Sequence, residues 1–232
     1  MELLPFLLEK NLHETNQHDI VHWWIRPPLI PSQLPTILKT FLRLTLQGNE
    51  KAKLVKHIFI DETEGEVVIG EGTRICHGAV IKGPVVIGSD CIVGNYAFIR
   101  QHTVIGNNVK IGFSTEIKNS VIESNVTIGP QCFVADSVLC ERVYLGAQVR
   151  TSNHRLDNDD IYVRAEKRSI NTGCKKLGCY IGKRSKLGVQ VIVLPGRKIK
   201  EDTIIGPKII VERNLDKGKY ILKKEVLHDK GK

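Results

Sequence analysis

Residues 69–117 read IGEGTRICHGAVIKGPVVIGSDCIVGNYAFIRQHTVIGNNVKIGFSTEI, and an aliphatic residue occupies every sixth position of this stretch. The residues in this register are Ile69, Ile75, Ile81, Ile87, Val93, Ile99, Ile105, Ile111 and Ile117. The position after them is often glycine, as in Gly70 and Gly88. Neither a helical period of about 3.6 nor strand alternation produces a repeat of six, whereas a solenoid of short strands joined by tight turns does.

The repeat predicts how the coils of such a solenoid stack. One large side chain in about six points inward, and about eighteen residues complete a triangular coil. Ile69 then lies over Ile87 and Ile105, and the other inward residues form two further columns of the same kind. Glycine suits the corners, where a Cβ would obstruct the turn. We therefore expect a mainly β fold, a parallel β-helix of about seven to eight coils.

The register predicts a solenoid over residues 54–212 with two kinds of interruption. After Ile117 two steps of five replace steps of six, because the next inward residues are Ile122, Ile128, Val134, Leu139 and Leu145. At about 147–180 the repeat gives way to a polar, irregular excursion, and it resumes at Ile181. Loops that a rigid scaffold positions often carry function, so the excursion is the first place to look for a ligand site.

The two ends of the chain lack the repeat. Residues 1–53 predict a small helical cap region, because Ser32 can cap a helix with an apolar stripe. That stripe consists of Leu34, Ile37, Leu38, Phe41 and Leu42. We expect the cap to cover the first coil, whose strand edges and core would otherwise be exposed. Residues 213–232 predict a charged C-terminal tail.

Composition narrows the classes of partner. No apolar run reaches the roughly eighteen residues of a membrane span, and no signal sequence is evident, so we expect a cytoplasmic protein. The six cysteines include no CxxC pair, and we expect no metal site. The net charge of +9 is spread along the chain without a basic helix, which argues against nucleic acid. Lys183, Arg184 and Arg197 belong to a basic cluster that either attracts the phosphates of a cofactor or is a solvated face.

Six strings of the sequence carry a family resemblance. They are Gly83-Pro-Val-Val-Ile-Gly88, Ala97-Phe-Ile-Arg100, Thr115-Glu-Ile-Lys-Asn-Ser120, Val134-Ala-Asp-Ser137, Ser152-Asn-His-Arg155 and Lys175-Lys-Leu-Gly178. Together with the repeat, they resemble the hexapeptide-repeat acetyltransferase half of bifunctional sugar-1-phosphate nucleotidyltransferases. The resemblance implies a left-handed β-helix, an exception to the usual right-handed crossover, and a homotrimer.

The resemblance also implies an activity. Members of that family transfer acetyl from acetyl-coenzyme A to an amino-sugar 1-phosphate, on the route to UDP-N-acetylglucosamine, and the acyl transfer requires no metal. Residues 1–55 show no trace of the family's nucleotide-binding domain. We therefore expect this chain not to perform uridylyl transfer, and a separate nucleotidyltransferase is a candidate partner.

Several residues match positions that bind substrate in that family. Arg100 and Lys118 match a basic pair that grips the sugar phosphate, a role suited to charge-assisted hydrogen bonds. Asn153 matches an asparagine that can bind sugar hydroxyls or the N-acyl group. Lys175 and Lys176 match lysines that approach the substrate or the coenzyme.

The catalytic positions depart from the family pattern. Acetyl transfer to an amine needs a base for the ammonium proton and a donor for the carbonyl oxygen. The family's histidine and tyrosine positions hold Pro130 and Phe133 here, and neither side chain can replace the original group. Either His154 or His102 acts as the base, or the chain is a catalytically degenerate relative. Such a relative would bind a sugar nucleotide or a protein partner as a regulatory or scaffold subunit.

Overall fold

Three parallel β-sheets form the walls of a solenoid in this computed structural model. The structure describes residues 53–54, 57–165 and 168–223. Each coil contributes one short strand to each wall in turn, and each strand pairs in parallel with the strands of the coils before and after it. The walls are called sheets A, B and C, in the order in which β1, β2 and β3 enter them. The strands are numbered in chain order.

The strands are two to four residues long. Sheet A contains β1 (Lys53–Leu54), β4 (Arg74–Ile75), β7 (Ile92–Val93), β10 (Lys110–Ile111), β13 (Thr127–Ile128), β16 (Tyr144–Leu145), β21 (Lys186–Leu187), β24 (Ile204–Ile205) and β26 (Lys219–Tyr220). Sheet B contains β2 (Phe59–Asp61), β5 (Val80–Lys82), β8 (Phe98–Ile99), β11 (Glu116–Lys118), β14 (Phe133–Ala135), β17 (Arg150–Thr151), β22 (Ile192–Val193) and β25 (Ile210–Val211). Sheet C contains β3 (Val67–Ile69), β6 (Val85–Ile87), β9 (Thr103–Ile105), β12 (Val121–Ile122), β15 (Val138–Leu139), β20 (Cys179–Ile181) and β23 (Arg197–Ile199). A separate antiparallel hairpin consists of β18 (Tyr162–Ala165) and β19 (Arg168–Asn171).

The inward columns follow the predicted register. Ile87 lies between Ile69 and Ile105 in sheet C, and equivalent columns run through sheets A and B. Both predicted steps of five are also present, because Ile122 pairs with Ile105 and with Leu139. Most of these side chains are completely buried, and they form one continuous core along the axis. The prediction of a mainly β, parallel solenoid is therefore confirmed.

Between Ile69 and Val211, all the irregular connections lie at one corner. We call the connections from each strand of sheet B to the following strand of sheet C the B–C corner, and name the A–B and C–A corners in the same way. Both shortened turns, 119–120 and 136–137, are at the B–C corner, and so is the excursion, which occupies 152–178. In this range, equivalent residues are 18 apart in a regular coil, 17 apart across a shortened turn and 42 apart across the excursion. Between Ile69 and Val211 the other two corners keep a regular spacing of six residues from one inward position to the next.

The excursion folds back against the outside of sheet C. Its hairpin and its flanking residues form a second small apolar cluster with the outward side chains of β15 and β20. The members of this cluster are Ile161, Val163, Leu177, Val138, Ile170 and Tyr180. Because this packing anchors the hairpin, the first and last residues of the excursion are held at the B–C corner.

Glycines after the inward residues allow neighbouring coils to approach closely. A Cβ on Gly112 would lie 2.5 Å from the carbonyl carbon of Gly129 and 2.5 Å from the nitrogen of Pro130. Left-handed backbone conformations occur two residues further on, for example at Asp90 and Asn108. The glycines thus allow the short distance between neighbouring coils. Polar residues that tolerate a positive φ form the turn itself.

The predicted helical cap of residues 1–53 lies almost entirely outside the described residues, as does the end of the charged tail. Residues 53–54, at its boundary, form β1. Within the residues that the structure describes, no helix has the length and apolar character needed to cross a membrane.

We expect Gly112→Ala to lower the free energy of unfolding by about 1–3 kcal/mol, because the new methyl group must push two coils apart. Urea denaturation followed by circular dichroism measures this loss. Gly218→Ala is the matched control, since a Cβ there would lie 3.8 Å from its nearest neighbour, the Tyr220 ring. Equal stability of the two variants would show that coil spacing does not depend on Gly112.

Candidate functional site

A buried carboxylate organises the B–C corner. The side chain of Asp136 is only 7% exposed and follows β14, whose Val134 points into the core. The Nδ2 of Asn119, one coil earlier, donates to Asp136 Oδ1 at 2.5 Å. On the opposite side, the Nδ2 of Asn153 in the excursion donates to Asp136 Oδ2. Asp136 therefore joins three successive coils at the point where their connections are irregular.

The same carboxylate holds a predicted phosphate-binding lysine. Lys118 ends β11, with its side chain outward because Ile117 points inward, and its Nζ lies 3.4 Å from Asp136 Oδ2. The lysine side chain is 17% exposed, so the ion pair is shielded from bulk water more than a surface pair would be. The structure thus brings Lys118 and Asn153 together through Asp136. Asp136 was not among the site residues predicted from the sequence.

Arg100 lies on the same wall, one coil before Lys118. Its Nη1 donates to Glu116 Oε1 at 2.8 Å, and its guanidinium lies 5.6 Å from the centre of the Phe98 ring. Both members of the ion pair are more than a third exposed. Exposed pairs of this kind contribute little to stability, so Arg100 can exchange its partner for a ligand at low cost.

The excursion places His154 and Lys176 side by side. The two residues form an isolated antiparallel bridge, and the next pair of residues is joined by a 2.9 Å hydrogen bond from Leu177 N to Asn153 O. Both His154 and Lys176 are exposed. His154 therefore follows directly after the asparagine that contacts Asp136.

Lys175 points toward acidic residues within the excursion instead. Its Nζ lies 2.9 Å from Asp160 Oδ1 and 4.0 Å from Asp159 Oδ1. The hydrogen bond to Asp160 raises the pKa of Lys175, and the neighbouring carboxylates add to this effect. Lys175 is thus engaged in ion pairs, whereas no ion pair of Lys176 is found among the described residues.

His102 is at the B–C corner as well, but on an earlier coil. It is exposed, it has a left-handed backbone with φ 58°, and its N–H donates to Pro84 O at 2.8 Å. The chain reaches Asn119 one coil later, and Asn119 N donates to Gln101 O. His102 therefore lies two coils from Asp136, on the side away from the excursion.

The predicted cofactor residues separate into two places. Lys183 and Arg184 are exposed residues of the C–A corner, and Arg184 forms two hydrogen bonds of 2.6 and 2.9 Å with Asp202. These bonds raise the pKa of Arg184. Arg197 instead begins β23 beside the B–C corner, on the same edge as Asp136. The three basic residues do not form one patch.

The positions that hold the family's catalytic pair are at the other edge of sheet B. Pro130 belongs to the A–B corner, and Phe133 is the first residue of β14, with its side chain outward and partly exposed. Phe133 pairs with Glu116 and with Arg150 on the neighbouring strands. The outer face of sheet B thus extends from Pro130 at one edge to Lys118 and Asp136 at the other.

Sequence reasoning missed Asp136 and Arg155 as site residues, although both belong to strings that it quoted. An aspartate in a shortened turn is a weak signal, since turns commonly contain aspartate. Arg155 contacts Asp157, whose pKa the guanidinium lowers to about 2. In the part of the chain that the structure describes, no group of three or more His, Cys, Asp or Glu side chains is arranged to hold a metal ion.

Comparisons with known proteins identify relatives over nearly the whole chain. The GMPPB C-terminal domain family matches residues 81–181. The chain is 61% identical over 227 residues to "Uncharacterized acetyltransferase YaiX" of Escherichia coli O6:K15:H31 (strain 536 / UPEC), and the match covers 98% of both proteins. It is 34% identical over 186 residues to "Bifunctional protein GlmU" of Methanococcus aeolicus, which covers 80% of this chain and 44% of the relative. The chain thus spans less than half the length of that bifunctional relative.

One solved structure to which the chain is similar is the UDP-N-acetylglucosamine acyltransferase from Campylobacter jejuni. It is 14% identical in sequence, and the superposition covers 70% of this chain and 68% of that one, with a TM-score of 0.42.

We expect Asp136→Asn to lower the free energy of unfolding by about 1–3 kcal/mol, because Lys118 loses its partner and the new amide meets the amides of Asn119 and Asn153. Urea denaturation at constant ionic strength measures this change. Glu116→Gln removes an equivalent charge from the exposed pair with Arg100 and should cost less than about 1 kcal/mol. Similar losses for both variants would contradict the central position of Asp136.

Proposed function

We propose that this chain, which belongs to the hexapeptide-repeat acetyltransferase family, transfers acetyl from acetyl-coenzyme A to the amino group of an amino-sugar phosphate. The relationship to YaiX supports acetyl transfer. The family resemblance carried by the six strings supports a sugar acceptor on the route to UDP-N-acetylglucosamine or a related nucleotide sugar. The observation that carries the proposal is the B–C corner, where Asp136 holds Lys118 and Asn153 next to His154.

The proposed binding mode follows from the donors that remain free. An ammonium group has three N–H donors, and Lys118 directs one of them to Asp136, so the others can bind a phosphate. Asn153 uses one N–H on the same carboxylate and offers its second N–H and its oxygen to sugar hydroxyls. Arg100 adds a second cation by leaving Glu116. Asp136 itself serves as a positioning residue in this scheme.

The proposed chemistry is nucleophilic attack of the sugar amine on the thioester carbonyl. The new C–N bond forms as the C–S bond breaks, and the coenzyme leaves as a thiolate that takes up a proton. The amine must lose a proton, and His154 is the proposed base, with His102 as the second candidate. Lys176, beside His154, can donate a hydrogen bond to the oxygen that gains negative charge.

The proposal extends to the coenzyme and the assembly. Lys183 and Arg184 on the C–A corner are candidates for the coenzyme's phosphates, and acyl transfer needs no metal ion. The family resemblance supports a homotrimer, in which a neighbouring chain could approach the outer face of sheet B. It also supports a cytoplasmic location and a separate nucleotidyltransferase as partner.

Pro130 and Phe133 favour a second candidate function. Because neither side chain can exchange a proton at neutral pH, a chain without a substitute base would bind the sugar phosphate and catalyse nothing. It would then act as a regulatory or scaffold subunit. The two candidates make opposite predictions for turnover and the same prediction for binding.

We expect release of free coenzyme A when the chain is incubated with acetyl-coenzyme A and glucosamine 1-phosphate, and His154→Ala should abolish it because the amine keeps its proton. Chromatographic separation of coenzyme A measures the rate without interference from the protein's own thiols. His57→Ala, on an exposed histidine of the A–B corner, is the control. An unchanged rate in His154→Ala would remove that residue as the base.

We expect Lys118→Ala to weaken binding of glucosamine 1-phosphate more than tenfold, about 1.4 kcal/mol, through loss of the charge-assisted bond. Ligand-dependent thermal stabilisation of the protein measures the affinity. Lys110→Ala removes an exposed lysine from sheet A and should leave the affinity unchanged. Retained stabilisation without turnover would favour the second candidate function, whereas equal affinity of the two variants would refute the Lys118 site.

A further inference from the structure

The outer face of sheet A carries cations that no acidic side chain balances. Its exposed cations are Arg74, Lys110, Lys186 and Lys219. From Arg74 to Lys223, neither the strands of sheet A nor the A–B corner residues that follow them include an aspartate or a glutamate. No ion pair within the described residues includes any of the four cations. We call this face of sheet A the basic wall.

The fold pairs its charges elsewhere. At the C–A corner, Arg184 forms two hydrogen bonds with Asp202 of the next coil, and Lys217 Nζ lies 3.1 Å from Asp202 Oδ2. On sheet B, Lys82 Nζ lies 3.6 Å from Asp61 Oδ2. Opposite charges on neighbouring coils are thus available to this architecture, and they stabilise it modestly. Their absence from the basic wall leaves its charge available to a partner.

Cations alternate with exposed apolar side chains along the basic wall. Lys186 lies between Tyr144 and Ile204 on the neighbouring strands, and Ile204 lies between Lys186 and Lys219. Tyr144 is 47% exposed and Ile204 is 45% exposed. Neighbouring strands are about 4.8 Å apart, so each cation adjoins an apolar group. A lysine stem can lie along that group while its ammonium reaches outward.

The same alternation occurs at the other end of the basic wall, where Ile92 lies between Arg74 and Lys110. The strands from β4 to β26 give the wall a length of about 34 Å. Its edge at the A–B corner adds large apolar side chains that are 46–72% exposed. They are Tyr96, Phe113, Val189 and Ile221. The surface is thus extended, cationic and partly apolar along its whole length.

We propose that the basic wall binds the surface of a membrane that contains anionic phospholipids. The phosphates of the headgroups attract the cations, and single apolar side chains enter the boundary between headgroups and acyl chains. A protein partner is usually anchored by a packed apolar centre, whereas cations separate the apolar side chains here. A membrane surface accepts cations and isolated apolar side chains together, so it fits this pattern better.

Binding through sheet A leaves the candidate site open. Lys118, Asp136 and Asn153 lie at the B–C corner, which is opposite sheet A in a solenoid of three walls. The proposed trimer brings a neighbouring chain to the outer face of sheet B and leaves sheet A uncovered. The membrane and the sugar phosphate therefore use different surfaces, and each can be tested without the other.

The first experiment measures sedimentation of the full chain with vesicles of equal parts phosphatidylglycerol and phosphatidylcholine. We expect binding at least tenfold tighter than to phosphatidylcholine alone, and weaker binding as salt screens the attraction. The double variant Lys186→Glu with Lys219→Glu should bind at least tenfold less tightly. The matched control, Arg164→Glu with Arg168→Glu, alters net charge equally on the exposed hairpin and should bind as the unaltered chain does.

Equal losses in the two double variants would show a dependence on net charge alone and would overturn the proposal. Absence of binding to the anionic vesicles would overturn it as well. All four substituted side chains are exposed, so both variants should unfold at the urea concentration of the unaltered chain.

The second experiment separates a membrane from a soluble polyanion or an acidic protein. Tyr144→Ser with Ile204→Ser removes apolar groups and keeps the charge. We expect this variant to bind the anionic vesicles at least fivefold less tightly and to bind heparin as the unaltered chain does. Unchanged vesicle binding would show purely electrostatic attraction and overturn the membrane assignment. Neither experiment needs turnover, so a chain that binds vesicles without releasing coenzyme A would refute the proposed acetyl transfer and leave this surface intact.

Discussion

The contact between one coil and the next is the interaction on which the rest of the structure depends. Ile81, Ile99 and Ile117 stack directly on one another with no exposed surface, and burial of such a side chain contributes about 1.5–3 kcal/mol. The backbone of each strand is hydrogen-bonded to the coils on both sides. Glycine at the following position lets the coils come close enough for both effects. Each coil therefore needs its neighbours, and the walls have little freedom to vary.

The corners supply the variation that the walls do not allow. Between Ile69 and Val211 the A–B and C–A corners repeat with regular spacing, whereas the B–C corner has two shortened turns and the long excursion. Asn119 and Asp136 occupy equivalent positions in the two shortened turns and are hydrogen-bonded to each other, and the hairpin packs against sheet C. Polar groups at this corner are thus held by rigid elements on every side, which is the arrangement expected for a binding site on a scaffold.

The basic residues of this corner differ in what balances their charge. Lys118 has a buried partner in Asp136, Arg100 has an exposed partner in Glu116, and Arg197 has none within the described residues. A held lysine provides a fixed donor, an exposed pair can open, and an unpaired guanidinium favours an anionic ligand. These three states differ in how readily each cation can engage an anionic ligand.

The sequence by itself determined the three walls, the inward columns and the two steps of five, because the inward aliphatic residue repeats locally and every coil obeys the same packing rule. It also located the excursion and most of the residues near it. Only the tertiary structure decided that Asp136 joins Lys118 to Asn153, and that Lys183 and Arg184 lie on a different corner from Arg197. These contacts link residues 17 or more positions apart, and they depend on the corner at which each turn falls and on the path of the excursion, neither of which leaves a periodic signal.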